Sequence, residues 1–168
     1  MRRLLLRQLW LTPFLLFTFS LIAQDKQFNW QPDQCLKMKN VSSVRPSPDG
    51  SKVAYTVREA IMTSDRSEFI NHIFLCNSDG SNTVQLTTGD KNSSNPKWSN
   101  DGKFLAYTSN RDGKNNLYIL PVGGGESEKV TDVKTGVGDF DWSNDGKAIA
   151  FTMSDKEEEA EEKRKKAK

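Results

Sequence analysis

The sequence predicts an all-β chain, a partial β-propeller of about two and a half four-stranded blades preceded by a signal-peptide helix. Three observations predict it. One eleven-residue segment recurs three times without gaps, at Pro46–Thr56, Trp98–Thr108 and Trp142–Thr152, with offsets of 52 and 44 residues. A second segment, Ile73–Thr87, matches Leu117–Thr131 at the same offset of 44. Each unit holds short β-favouring runs punctuated by Asp-Gly or Gly-rich turns, and four strands about every 44 residues is the period of a propeller blade.

The 168 residues carry 24 Lys+Arg against 22 Asp+Glu, one His and two Cys, with a mean hydropathy of -0.68. That hydropathy excludes a multi-span membrane protein, and two cysteines exclude a disulfide-framed miniprotein. Arg2, Arg3 and Arg7 lie in an N-terminal segment with no acidic residue, and the remainder holds 21 basic against 22 acidic residues. Such a balance gives no footprint for nucleic acid, whose binding rests on clustered positive charge.

The elements follow in order. Met1–Arg7 is basic and Leu9–Ala23 almost wholly apolar, ending at Ala23 before Gln24-Asp25. This pattern predicts a secretory signal peptide over residues 1–23, too short for the roughly 20 apolar residues of a spanning helix. An uncleaved N-terminal anchor is the alternative, because Leu21 is larger than the residue usual at that distance from a cleavage site. The mature protein is expected to be periplasmic or secreted, with no membrane attachment after cleavage. Residues 24–40 form a lead-in, and blades occupy 41–154.

Within the blades, Val53–Thr56, Leu105–Thr108 and Ile149–Thr152 read as strands entered through Asp49-Gly50, Asp101-Gly102 and Asp145-Gly146. Gly accepts positive φ cheaply, and an Asp carboxylate can bond nearby backbone N–H groups. Asp79-Gly80 and Gly123-Gly124-Gly125 mark a second turn. Alternate positions of a strand face opposite sides of the sheet. Val53/Tyr55, Leu105/Tyr107 and Ile149/Phe151 are therefore expected to pack on one neighbouring blade, while Ala54, Ala106 and Ala150 let the opposite blade approach. Trp98 and Trp142 are expected in the innermost layer. Pro46 stands at their position in the first unit, so its strand is expected to be irregular or an edge. Arg58–His72 reads as a long connection and Asp155–Lys168 as a charged insertion, helical or disordered. Both follow the second strand of a blade and so emerge on one face, which places Glu59, Arg66 and Glu68 near a substrate entrance. Propellers close with 4–8 blades, so the chain is expected to be the front part of a longer polypeptide, the alternative being a self-contained three-unit β-domain.

The Asp-Gly-Lys strand entries and Ser109–Leu120 resemble the repeats of TolB-type periplasmic propellers. The run from Val44 to Lys168 more closely resembles the N-terminal propeller of the prolyl oligopeptidase family, in its acylaminoacyl-peptidase and dipeptidyl-peptidase branches. That resemblance implies a serine peptidase in two parts, with the propeller gating peptide access to a C-terminal α/β-hydrolase domain carrying a Ser-His-Asp triad. No position here matches a catalytic residue of that family. Gly125-Glu126-Ser127-Glu128-Lys129 lacks the second Gly of G-x-S-x-G, and the one His, His72, reads as structural. A non-enzymatic TolB-like binding scaffold is the second reading.

Other chemistry finds little support. The Asn77–Gly80 and Asn110–Gly113 turns lack the ligand set of a calcium loop, and the triple Gly lacks the Lys-Ser/Thr of a phosphate loop. No cofactor or metal is expected. Cys35 and Cys76 either pair in an oxidising compartment or leave Cys76, which aligns with Leu120, as a buried thiol. The aromatic residues recur at blade spacing, which favours a core role over ligand stacking.

Overall fold

A computed structural model describes residues 32–154; the expected signal peptide and the insertion at 155–168 lie outside the described residues. A short helix, α1 (Pro32–Leu36), leads into ten strands. Blade 1 contains β1 (Asn40–Pro46), β2 (Lys52–Met62), β3 (Ser67–Asn77) and β4 (Val84–Gln85), hydrogen-bonded in that order. Blade 2 repeats the arrangement with β5 (Ser93–Trp98), β6 (Phe104–Ser109), β7 (Asn116–Pro121) and β8 (Glu128–Lys129). Blade 3 contributes β9 (Val137–Trp142) and β10 (Ile149–Met153). All pairings are antiparallel, so the architecture is the expected partial propeller.

The entry turn of each blade is built the same way. Gly50, Gly102 and Gly146 sit at φ 71, 70 and 69°, where a Cβ would be strained. The serine two residues before each Asp closes the turn from the other side. Ser47, Ser99 and Ser143 donate their hydroxyls to Asp49, Asp101 and Asp145 at 2.5, 2.7 and 2.6 Å. The same hydroxyls accept the backbone N–H of Lys52, Phe104 and Ala148. A donor that the incoming strand cannot pair is thereby satisfied.

The blades stack through alternation. Ala54, Ile73 and Leu75 of blade 1 pack against Leu105, Tyr107, Tyr118 and Leu120 of blade 2. On the far side of blade 2, Ala106 and Leu117 meet Phe140, with Ile119, Trp142 and Ile149 at the margin. Ala54 of β2 and Ala106 of β6 thus lie where the large residues of the next blade arrive, as the sequence predicts.

Two expectations need correction. The expected Arg58–His72 connection is strand: β2 and β3 pair without a slip from Lys52↔Asn77 to Met62↔Ser67, and only a turn at 63–66 separates them, closed by Thr63 N–H to the Arg66 carbonyl at 2.8 Å. Arg58, Glu59 and Glu68 interrupt and so hide a β pattern that Ile61, Phe69 and Ile70 sustain. β1, an edge strand, is irregular as Pro46 predicts, and the irregularity recurs in the other blades. Register shifts fall at Ser42/Arg45, Ser94/Lys97 and Phe151/Met153, and Ser43 and Asn95, at φ 48 and 54°, mark a bulge that extra twist requires. Trp98 and Trp142 are half-buried rather than filling the centre. Each instead reaches the preceding blade, its Nε1–H donating to the carbonyl of Arg45 at 2.9 Å and of Lys97 at 3.2 Å. Cys35 is exposed, Cys76 half-buried, and the two thiols are unpaired.

Candidate functional site

Strand direction sorts the connections into two ends. The Ser-x-Asp-Gly turns lie at one end. The β2–β3 turn, the β6–β7 turn, the blade-to-blade connections and the end of β10 lie at the other. Because β2 and β3 run 11 residues each against six in β6 and β7, the blade 1 hairpin projects beyond its neighbour at this second end.

The structure places the three predicted residues on this hairpin. Arg66, in the turn, is ion-paired with Glu68 and donates to the carbonyl of Asp90 at 2.9 Å, which ties the hairpin tip to the connection between blades 1 and 2. Glu59 lies on the same sheet face as Glu68, opposite Ile70, and pairs separately with Lys39 at 2.8 Å. Arg66 and Glu68 therefore act together, and Glu59 belongs to another ion pair.

His72 lies inside β3, opposite Val57, and not in a connection. It is 5% exposed, and its Nδ1 has no hydrogen-bond partner. Burial holds the imidazole below its ordinary value, opposed by the charge of Glu59; it is kept neutral. Asn116 occupies the same position of blade 2, and its Oδ1 accepts from Thr131 Oγ1 and Val133 N–H, each at 3.0 Å.

A polar cleft of about 530 Å³ opens at the same end, between the β6–β7 turn and the edges of β9 and β10. Asn110, Lys114 and Asn115 form one wall, and Gly136, Gly138 and Thr152 the other. The turn is held by Tyr118, whose hydroxyl donates to Asp112 at 2.6 Å while the Arg111 guanidinium stacks 3.8 Å from its ring. The Tyr118 bond, with help from nearby Lys129 and Arg111, keeps the Asp112 carboxyl below its ordinary range. None of Glu59, Arg66 and Glu68 lines this cleft. Such lining presents amide, hydroxyl and ammonium groups, a set suited to hydrogen bonding.

Two asparagines that sequence reasoning missed join the blades at this end. Asn71 N–H donates to Asn92 Oδ1, and Asn92 N–H to Asn110 Oδ1, each at 2.9 Å. Their signal was weak, because asparagine in a loop reads as turn chemistry.

Stacked four-stranded antiparallel blades with recurrent Asp-Gly turns define a β-propeller segment. Residues 35–167 match the TolB beta propeller domain, and the chain belongs to that family. It is 33% identical over 106 residues to the uncharacterized peptidase YuxL of Bacillus subtilis, covering 62% of this chain and 16% of that protein. It is 29% identical over 106 residues to dipeptidyl-peptidase 5 of Porphyromonas endodontalis, covering 63% of this chain and 15% of that protein. This chain thus spans only about a sixth of the length of these relatives. Among solved structures, the Pyrococcus horikoshii acylaminoacyl peptidase superposes with a TM-score of 0.58 and 21% identity over 71% of this chain and 18% of that one. A TolB from Agrobacterium tumefaciens gives 0.53 and 25% over 66% and 37%. The propeller is therefore related to those of peptidases as well as to TolB.

Proposed function

We propose that the chain is the N-terminal propeller portion of an exported serine peptidase, whose propeller gates peptide access to a C-terminal α/β-hydrolase domain of the same polypeptide. One observation carries the reading: the relatives matched over the repeat region include proteins named as peptidases, of which this chain spans about 15–16%. In this reading residues 1–23 direct export, 24–40 lead into the blades at 41–154, and 155–168 are a charged insertion. The end that carries the hairpin is turned to the hydrolase domain. Glu59, Arg66 and Glu68 stand near the entrance, and the polar cleft beside Asn115 and Gly136 offers backbone and amide groups to a passing peptide.

A TolB-like scaffold that binds protein without hydrolysing it is the second reading, favoured by the TolB likeness at 25% identity. The full-length polypeptide decides between them. Hydrolysis of aminoacyl or dipeptidyl p-nitroanilides, abolished by Ser→Ala in a downstream G-x-S-x-G, is the expected result. A folded full-length product with no such motif and no hydrolysis would leave the scaffold reading standing.

A further inference from the structure

Asp-Gly pairs occur at 49–50, 79–80, 101–102, 112–113 and 145–146, and every one of these aspartates is exposed to water. The sequence is chemically labile, because a glycine has no side chain to shield its backbone nitrogen from the carboxyl group before it. That nitrogen can bond to the carboxyl carbon, while its proton and the carboxyl hydroxyl leave together as water. Water then reopens the cyclic imide. Where the original main-chain bond is the one that breaks, the product is isoaspartate, and the backbone runs on through the side-chain carbonyl. Two conditions gate the reaction. The glycine nitrogen must swing out of its turn, and the carboxyl group must come free and take up a proton, because a carboxylate has no hydroxyl to lose. Donors bonded to a carboxylate favour its ionised form and so oppose the second step.

All the turns hold the nitrogen alike. The N–H groups of Gly50, Gly80, Gly102, Gly113 and Gly146 each donate to the carbonyl three residues before, at 2.9 Å in every case. The turns differ in what anchors the carboxylate. At Asp49, Asp101 and Asp145 the serine hydroxyl that donates to the carboxylate also accepts an N–H of the following strand, so the carboxylate is tied to the sheet. Asp112 is tied to the core, through the hydroxyl of the fully buried Tyr118 at 2.6 Å. Asp79 is held only from Ser81, whose N–H donates at 2.9 Å, and Ser81 is itself exposed. The residue that stands where the other turns carry serine is Asn77, and its Nδ2 turns to the Ser81 hydroxyl at 2.9 Å. The repeat shows that this turn does not need a carboxylate, since Gly123 takes the place of Asp79 in blade 2.

We propose that Asp79-Gly80 is the site of spontaneous isoaspartate formation in the native protein, and that the serine of each Ser-x-Asp-Gly turn closes the same reaction at Asp49, Asp101 and Asp145. The proposal stands apart from the peptidase reading, since it needs only the turns of the stacked blades. The test incubates the full-length polypeptide at neutral pH, native and in guanidinium chloride, and counts isoaspartate at each site by mass spectrometry of its peptides. The unfolded chain, in which no site is sheltered, sets the reference rate for each. In the native protein Asp79 is expected to isomerise about tenfold faster than Asp49, Asp101 or Asp145, the factor that one missing bond to a carboxylate gives. Asn77→Ser, which supplies the absent hydroxyl, should slow Asp79 by a similar factor. Ser143→Ala should speed Asp145 about tenfold and leave Asp49 and Asp101 as they were; those two sites in the same molecule separate a lost anchor from a general loosening of the fold. Native rates that are equal relative to the unfolded reference, or fastest at a site other than Asp79, overturn the proposal. So does a Ser143→Ala variant in which Asp145 is no faster, or in which Asp49 and Asp101 rise with it.

Discussion

The serine of each entry turn does as much as the Asp-Gly pair that follows it. Ser99 is 2% exposed; its hydroxyl both donates to Asp101 and accepts from Phe104 N–H. Ser99→Ala leaves that N–H without its partner, and a loss of about 1–2 kcal/mol is expected from urea unfolding. Ser51→Ala, on an exposed hydroxyl, should change little. The carboxylates make stability depend on acid. The Ser47 hydroxyl, with Ser51, holds Asp49 down to about 2 from 3.8, and Asp101 and Asp145 are lowered in the same way by Ser99 and Ser143. The unfolded chain binds more protons in that range, so this contribution is whole above about pH 4 and lost as pH falls toward 2. His72 opens an earlier window. Its neutral form is favoured by burial against an ordinary value of 6.5, so stability also declines as pH drops below 6.5, when the unfolded state takes the proton. His72→Asn, the residue blade 2 uses, should remove the upper decline in a Tm-against-pH series and leave the lower one.

At the scale of the element, strand alternation was fully readable where apolar residues carried it. Leu105-Ala106-Tyr107 announces both a large face and a small one, and each meets the blade expected. Ala106 is fully buried beside Leu117 and Phe140; Ala106→Leu overfills that contact, and a loss of about 1–3 kcal/mol is expected, measured by denaturant midpoint. Where charged residues interrupted the run the pattern was hidden. Arg58, Glu59, Arg66 and Glu68 made β2 and β3 look like a connection, yet Phe69 and Arg58 in fact lie face to face, 4.1 Å apart. Long-range pairing decided that hairpin, since each β2 residue gained a partner 5–25 positions away whatever its local polarity.

On the whole molecule, the projecting hairpin and the polar cleft share one end of the stacked blades, and the proposed substrate entrance makes its prediction there. In the proposed full-length peptidase, substituting Arg66 releases the hairpin tip from Asp90, and substituting Glu68 removes the ion pair that steadies Arg66. KM for peptide substrates is expected to shift with kcat little changed. Glu59→Gln should act independently, because its partner is Lys39. KM unchanged in all three variants, for every peptide tried, counts against an entrance at this face. Among the described residues no helix is long and apolar enough to cross a membrane.

Repetition at 44 residues and strict alternation were enough, without coordinates, to name the architecture, the turns and the packing of small against large faces, because the repeat copies one local pattern into each blade and so presents the same faces to each neighbour. What required tertiary structure was the identity of particular partners: the tryptophan bonds across blades, the asparagine relay and the burial of His72. Those features arise only when two sheets come together, and no local pattern in either sheet encodes which side chain of the other will lie opposite.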